Sequence, residues 1–327
     1  MQVRRPSLAA GDFKLRSIDL YITAACNRKC GYCFLSDEYL GSQVHMTVPM
    51  VRAILAWAAA GTVDEITLLG GEPALHPDFA GIVAAVAGGP VRLRTVTNGS
   101  RRFREALDRD EVRAALTRVA VSLDAASPAV VDRLRGRGAF ADALATIELL
   151  KQAGVAFDIN WTAVASTLDG VPDMLRFAER TGAGRLNIHW FSEIGRARRH
   201  AAGEVVSATE WRAKVLDPVS RYRPERADFE LDCELAFAYG LPGEDPGRCA
   251  VRDMTNLQFF PNGSVFSCGM LVEEDTNSGY LFRDGAVLPR PGDSEITRTA
   301  DGCPGCPLRA SGDGHVPVCI YNRLALN

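Results

Sequence analysis

Between residues 17 and 193 the chain repeats one pattern six times: a short apolar run rich in β-branched residues, then a stretch with helical spacing. The strand candidates are Ser17 to Thr23, Asp64 to Leu69, Val91 to Thr97, Arg118 to Leu123, Ala156 to Val164 and Arg185 to Phe191. Such alternation calls for parallel strands, because a tight hairpin joins only antiparallel ones and a helix must carry the chain back to the starting edge. Helix starts are written into the gaps. Thr47 is placed as an N-cap with Pro49 in the first turn before Val51 to Trp57, and Ser127-Pro128 precedes Ala129 to Leu134. Gly154 and Gly182 supply stops. Trp57 and the Ala/Leu/Val stripes read as core. Six right-handed units predict an α/β fold, a partial (β/α)6 TIM-like barrel, with chemistry gathered at the C-terminal ends of its strands.

At the first of those ends stands Ala25-Cys26-Asn27-Arg28-Lys29-Cys30-Gly31-Tyr32-Cys33-Phe34, three thiols spaced C-x3-C-x2-C. Thiolates are the usual ligands of iron-sulfur clusters, and three of them leave the fourth iron of a 4Fe-4S cube open to a ligand that is not protein. Zinc sites more often use paired C-x2-C units and histidines. The chain has nine cysteines, and its start, Met1-Gln2-Val3-Arg4-Arg5-Pro6, lacks the apolar stretch of an export signal, so reduced thiols and a cytoplasmic location are expected. A net charge of -3 gives no basic field for nucleic acid or anionic membrane. No apolar run approaches the roughly 18 residues of a spanning helix.

The cysteine spacing, with the aromatic Tyr32 just before the third thiol, resembles the signature of the radical S-adenosylmethionine (radical SAM) superfamily. That resemblance implies that the amino and carboxylate groups of SAM chelate the open iron. It also implies that reduction by a donor such as flavodoxin or ferredoxin cleaves SAM to a 5'-deoxyadenosyl radical, which removes hydrogen from a substrate carbon. Leu69-Gly70-Gly71-Glu72-Pro73, after the second strand, resembles the family's GGEP loop, whose backbone meets the methionyl amino group; glycine admits a ligand that a Cβ would exclude. Thr97-Asn98-Gly99 and Ser122-Leu123-Asp124 look like family loops lining the SAM site, with Ser122 and Asp124 placed for the ribose hydroxyls or the methionyl end. Read alone, the first is an Asn-Gly turn and the second a cap ahead of Ser127. Arg133, Arg135 and Arg137 resemble a family segment in which one arginine pairs a SAM carboxylate, and Arg135 is assigned that role. On the fifth and sixth strands Asn160 and Thr162, and Asn187 and His189, occupy alternate positions that point into one cavity. Asn160 is counted with the cofactor residues, and His189 reads slightly more readily as a structural histidine than as a substrate contact.

Glu193-Ile194-Gly195-Arg196-Ala197 resembles a Gly-Arg-Ala segment found after the sixth strand of radical SAM enzymes with an auxiliary cluster, so the barrel is expected to occupy residues 1-195. Residues 196-232 read as a connector with one helical stretch, Ser207 to Arg221, and residues 233-327 as a cysteine-rich module. There Cys249, then Gly263 and Cys268 after a Phe259-Phe260-Pro261-Asn262 turn, then Cys303, Cys306 and Cys319 resemble a SPASM/twitch-type auxiliary cluster module, implying a second 4Fe-4S cluster. A cube takes at most four thiolates, so with Cys268, Cys303 and Cys306 as ligands either Cys249 or Cys319 is spare. The family pattern favours Cys249 as a ligand; the hairpin register leaves it further out. The reading adopted puts Cys319 on iron and leaves Cys249 to return hydrogen to a substrate radical, which inverts a stereocentre. Cys233 reads as buried and inert.

Acidic residues Asp232, Glu234, Glu273, Glu274 and Asp275 suit a polycationic small molecule and read equally as solvated surface, the commoner fate of such charges. The whole looks like an aminoglycoside-tailoring epimerase of the kind that converts neomycin C to neomycin B, a polar small-molecule substrate being the expected partner. The alternatives are a radical SAM dehydrogenase of an amino-sugar or cyclitol alcohol and a peptide-modifying enzyme. A cluster-binding sensor would have no reason to keep Gly70 to Pro73.

Overall fold

The computed structural model describes residues 9-12, 14-234, 255-266, 280-289 and 323-326. All six expected strands form, each within two residues of its expected bounds: β1 (Ser17–Thr23), β2 (Glu65–Gly70), β3 (Arg92–Thr97), β4 (Leu116–Ser122), β5 (Phe157–Ala163) and β6 (Arg185–Trp190). They pair in parallel, in chain order. The crossovers carry α1 (Asp37–Ser42), α2 (Val48–Ala58), α3 (Phe79–Ala87), α4 (Arg101–Leu107), α5 (Asp110–Ala115), α6 (Pro128–Arg135), α7 (Ala139–Gln152) and α8 (Val171–Thr181).

Short polar residues start several of these helices by satisfying the orphan N–H groups of the first turn. Thr47 accepts from the Met50 amide at 3.2 Å, Asp78 from Gly81 at 3.0 Å and Ser100 from Phe103 at 3.1 Å. Ser127 precedes α6 as expected, but its side chain caps nothing; Pro128 alone sets the first turn. Gly182 ends α8 in the left-handed region at φ 89°.

The parallel sheet runs further than six strands. β7 (Glu230–Glu234) lies parallel to β6, and β8 (Asn256–Phe259) lies parallel to β1. β9 (Ser264–Phe266), β10 (Tyr280–Arg283) and β11 (Ala286–Pro289) extend the β8 side antiparallel, and β12 (Arg323–Leu326) pairs antiparallel with β7. Sheet pairing therefore continues past residue 195 and across the expected boundary at 232/233. The physical reason is that Glu-Leu-Asp-Cys-Glu and Asn-Leu-Gln-Phe carry no β-branched run; what makes them strands is the row of unpaired N–H and C=O groups on β6 and β1. The helical stretch of the connector is present as Ala208–Trp211, a π-helical segment Arg212–Leu216 and Asp217–Arg221.

Side chains alternate across the sheet. In β5, Phe157, Ile159, Trp161 and Ala163 pack into the core shared with Ile54, Trp57, Phe103, Ile147 and Met174, each buried apolar side chain contributing about 1.5–3 kcal/mol. Trp57 is core as expected, meeting Phe259 of β8 at 5.7 Å. Cys233 is fully buried in the same cluster. The opposite face of β5 presents Asp158, Asn160 and Thr162. Where the strands begin, Asp158, with no exposure, accepts from Arg118 at 2.5 Å and from Arg94 at 3.2 Å, while Arg94 also reaches Glu65 at 3.1 Å. Among the described residues no helix is long and apolar enough to cross a membrane.

Candidate active site

The ten-residue cysteine loop leaves β1 at the opposite end of the sheet, and four separate segments hold it. From β2, the Gly71 amide donates to the Thr23 carbonyl at 2.9 Å and the Glu72 amide to the Ala25 carbonyl at 2.8 Å. A Cβ on Gly71 would overlap the Ala25 backbone and lie 2.7 Å from the Cys26 Cβ, so only glycine lets the two loops touch. From β3, the Asn98 carboxamide donates to Asn27 Oδ1 at 2.9 Å and lies 3.8 Å from Cys26 Sγ. From β4, Asp124 accepts from the Tyr32 hydroxyl, and Arg135 is placed 5.5 Å from the centre of the Tyr32 ring. After β6, the Arg196 amide donates to the Leu35 carbonyl and the Ala197 amide to the Cys33 carbonyl, both at 3.1 Å.

Gly195 makes the last contact possible. It sits in the left-handed region at φ 57°, and any Cβ there would fall inside the Phe34 carbonyl group. Arg196 then pairs with Asp37 of α1. The Gly-Arg-Ala segment thus does more than end the sixth unit; it is a wall of the cysteine loop.

Charge around the thiols follows burial. Burial pushes the Cys26 thiol up to about 11 and the Cys33 thiol up to about 12, and it raises Cys30; the Arg135 guanidinium acts against the rise at all three. A bound cationic metal centre reverses that preference, since only the thiolate ligates. Cys26 already has partners suited to a thiolate, the Arg28 amide at 3.4 Å and the Asn98 carboxamide. Among the described residues no three His, Cys, Asp or Glu side chains converge on one ion. Three thiols on one loop with no histidine among them are a donor set that suits a 4Fe-4S cube better than a zinc site.

Several assigned residues are brought together here with roles of their own. Glu72 is fully buried and turned away from the loop: it accepts from Thr97 Oγ1 and the Asn98 amide, both at 2.8 Å. Burial raises its pKa to about 7 against these donors. Gly70, Gly71 and Glu72 therefore offer the mouth their backbone, while the carboxylate ties β2 to β3. Arg135, assigned to a cofactor carboxylate, has its guanidinium on the protein carboxylate of Asp124. Nε and Nη2 reach Asp124 at 2.5 and 2.8 Å, because two buried opposite charges eleven residues apart neutralise each other first. Ser122 is half-buried at the end of β4, in register with Asn160, whose Oδ1 accepts from Asn187 at 2.7 Å. Thr162 and His189 are likewise in register, on the same interior face.

Sequence reasoning missed Arg28, Arg104 and Asp142. Asp142 of α7 takes Arg28 of the cysteine loop and, at 3.0 Å, Arg104 of α4. Their signal was weak: an arginine within the cysteine loop and an acid in the first turn of the next long helix. Cys249, Cys268, Cys303, Cys306 and Cys319 lie outside the described residues, as do Glu273, Glu274 and Asp275. The β8–β9 hairpin that was to present Cys268 is present, with Gln258 opposite Phe266 and a turn at Gly263.

Comparison with known proteins agrees with this geometry. The family model described as the Radical SAM superfamily matches residues 20–178. A GTP 3',8-cyclase of Acidothermus cellulolyticus is 29% identical over 313 residues, spanning 87% of this chain and 83% of that protein. The Bacillus subtilis antilisterial bacteriocin subtilosin biosynthesis protein AlbA is 27% identical, but the match spans 54% of this chain and 40% of that one. Streptococcus suis SuiB bound to S-adenosylmethionine has the same fold, with a TM-score of 0.65 over 80% of this chain and 62% of that one, at 16% identity. Sequence motif, clamped cysteine loop, family model and solved fold point the same way: residues 20–178 of this chain match the Radical SAM superfamily model, and the fold is that of SuiB.

Proposed function

We propose that the chain is a radical SAM enzyme that holds its cofactor at the mouth formed by the ends of β1 to β4 and a polar substrate against the interior faces of β5 and β6. The observation that carries this is the cysteine loop clamped by Gly71, Asn98, Tyr32–Asp124 and Gly195–Ala197. Cys26, Cys30 and Cys33 would hold a 4Fe-4S cluster. When bound and reduced, cluster and SAM together supply the radical that removes hydrogen from carbon. Gly70 and Gly71 let backbone approach the methionyl end, and Ser122 and Asn160 stand at adjacent strand ends for polar contacts. Asp124 and Arg135 cancel each other's charge in a dry site and keep Tyr32 against the loop.

For the reaction itself the proposal is epimerisation of an aminoglycoside-like substrate, with Cys249 returning hydrogen and an auxiliary 4Fe-4S cluster on Cys268, Cys303, Cys306 and Cys319. Its support is the arithmetic of five thiols for four ligand positions. A second reading, a nucleotide substrate, is favoured by the GTP 3',8-cyclase relative, which aligns over most of both chains. Anaerobic turnover in heavy water separates them. One solvent-derived deuteron at an inverted carbon of an aminoglycoside supports the first, and a new ring on GTP supports the second. A ketone product would instead indicate a dehydrogenase. Loss of the auxiliary cluster in Cys249→Ala would make that cysteine a ligand and end its assignment as donor.

A further inference from the structure

Asn98 sits where the clamps on the cysteine loop meet. Its backbone amide donates to the buried Glu72 carboxylate at 2.8 Å. The next residue, Gly99, has φ 80° and no room for a Cβ, which would lie 2.9 Å from the Ala143 Cα and the Asp142 carbonyl oxygen of α7; Arg104 holds the Gly99 carbonyl at 2.5 Å. The turn is therefore pinned on both sides, and the side chain, 9% exposed, has little freedom. Its nitrogen donates to Asn27 Oδ1 and towards Cys26 Sγ. Its oxygen is buried and accepts no hydrogen bond from the described residues. Leaving a buried carbonyl oxygen unsatisfied costs about 1–3 kcal/mol, and native proteins keep few such groups without a use.

We propose that Asn98 couples the cofactor to the cluster: its N–H stabilises the Cys26 thiolate, and its oxygen takes a hydrogen bond from the amino group of the cluster-bound sulfonium cofactor. The inference rests on the reading of Cys26, Cys30 and Cys33 as ligands of a SAM-binding cluster. Two halves of one carboxamide then have separable effects. The donor half favours the extra negative charge of the reduced cluster, so it sets the potential. The acceptor half contributes to SAM affinity. Asn98 touches sulfur and cofactor and takes no part in hydrogen transfer, which makes it a positioning residue.

The test uses the full chain, reconstituted anaerobically with iron and sulfide, and reads two quantities besides turnover. These are the midpoint potential of the electron paramagnetic resonance signal that changes when SAM is added, and the SAM dissociation constant. Asn98→Leu removes both functions, and Asn98→Asp keeps an acceptor while losing the donor. Both variants are expected to shift the SAM-free midpoint to more negative values. SAM binding is expected to weaken about tenfold in Asn98→Leu, the worth of one good hydrogen bond, and to stay within about threefold in Asn98→Asp. An unchanged midpoint in both variants, or equal loss of SAM binding in both, overturns the proposal. Should Asn98→Leu not fold, Asn27→Ala, at an exposed position, removes the acceptor that orients the carboxamide; a smaller shift of the same sign supports the proposal and an unshifted midpoint sinks it. The parent reading fails differently: wild type would lack a SAM-responsive signal, or Cys26→Ala would keep one.

Discussion

The two ends of the barrel treat polar groups in opposite ways. At the end where the strands begin, charge is paired off inside the protein: Asp158 takes Arg118 and Arg94, Arg94 takes Glu65, and Arg185 takes Glu230 at 2.5 Å. At the end where the strands finish, Asp124 and Arg135 are paired too, but Asn98 keeps a buried oxygen with no hydrogen bond among the described residues, Gly71 admits Cys26 close to its backbone, and Asn160, Thr162 and His189 line an interior face. The first arrangement leaves nothing for a ligand to satisfy and serves stability. The second leaves hydrogen-bonding capacity that a ligand can use, which is how βα-barrels divide their labour.

The largest expected effect on the folded state breaks the floor. Asp158→Ala strands Arg118 and leaves Arg94 with Glu65 alone, and removing one partner of a buried pair costs about 3–5 kcal/mol. The low end of that range applies, because the two arginines keep 23% and 35% side-chain exposure. Denaturant unfolding reads the loss directly. Iron bound per chain in the surviving folded fraction should match wild type; a variant that keeps its stability but loses iron would erase the distinction between the two ends.

Gly195→Ala breaks the mouth instead. The left-handed backbone alone costs an alanine about 1–2 kcal/mol, and overlap with the Phe34 carbonyl adds to it. Because the clash falls on the cysteine loop, the expected result is loss of most of the SAM-responsive iron signal with a smaller fall in unfolding free energy than Asp158→Ala. Full iron content in Gly195→Ala would mean that the segment does not shape the loop.

These two sites also mark what the amino-acid sequence disclosed and what it withheld. The six long strands were legible because each carries apolar residues, β-branched ones in most, between turn signals, and the cysteine loop because its spacing is unusual. β7 and β8 were not, since their identity as strands comes from the edges they complete. The protein partner of Arg135 was not foreseen: a motif names a residue, whereas its pairing with Asp124 is set by distance. The floor left a signal that went unused. Arg94 and Arg118 lie inside parallel strands that otherwise read as apolar, and a charge in such a place needs a buried partner. Gly195 shows a further limit, for its role depends on a contact with Phe34, 161 positions earlier.

Glu72 connects the two behaviours, being a paired group that sits at the mouth. Burial holds its pKa near 7 in the folded chain, against the usual 4.5 when unfolded. A raised folded value means that the protonated carboxyl favours folding. That contribution is complete below pH 4.5, falls as pH rises towards 7 and is gone above it, a change of roughly 3 kcal/mol. Glu72→Gln should flatten this part of the curve of unfolding free energy against pH. An unaltered slope between pH 4.5 and 7 would show that another group governs it.

The smallest effect is the most specific to the mouth. Ser100 caps α4 through the Phe103 amide, as Thr47 caps α2 through Met50, and loss of either cap is worth about 1 kcal/mol. The hydroxyl of Ser100 also lies near enough to Glu72 to act against the rise of its pKa, a task that Thr47 does not share. At low pH, where Glu72 is protonated, Ser100→Ala and Thr47→Ala should therefore cost about the same. Near pH 7.5 Ser100→Ala should cost more, because the ionised carboxylate has lost a nearby hydroxyl in a site that water does not reach. A parallel pair of curves across that range would assign Ser100 to the helix alone and leave Glu72 to Thr97 and Asn98.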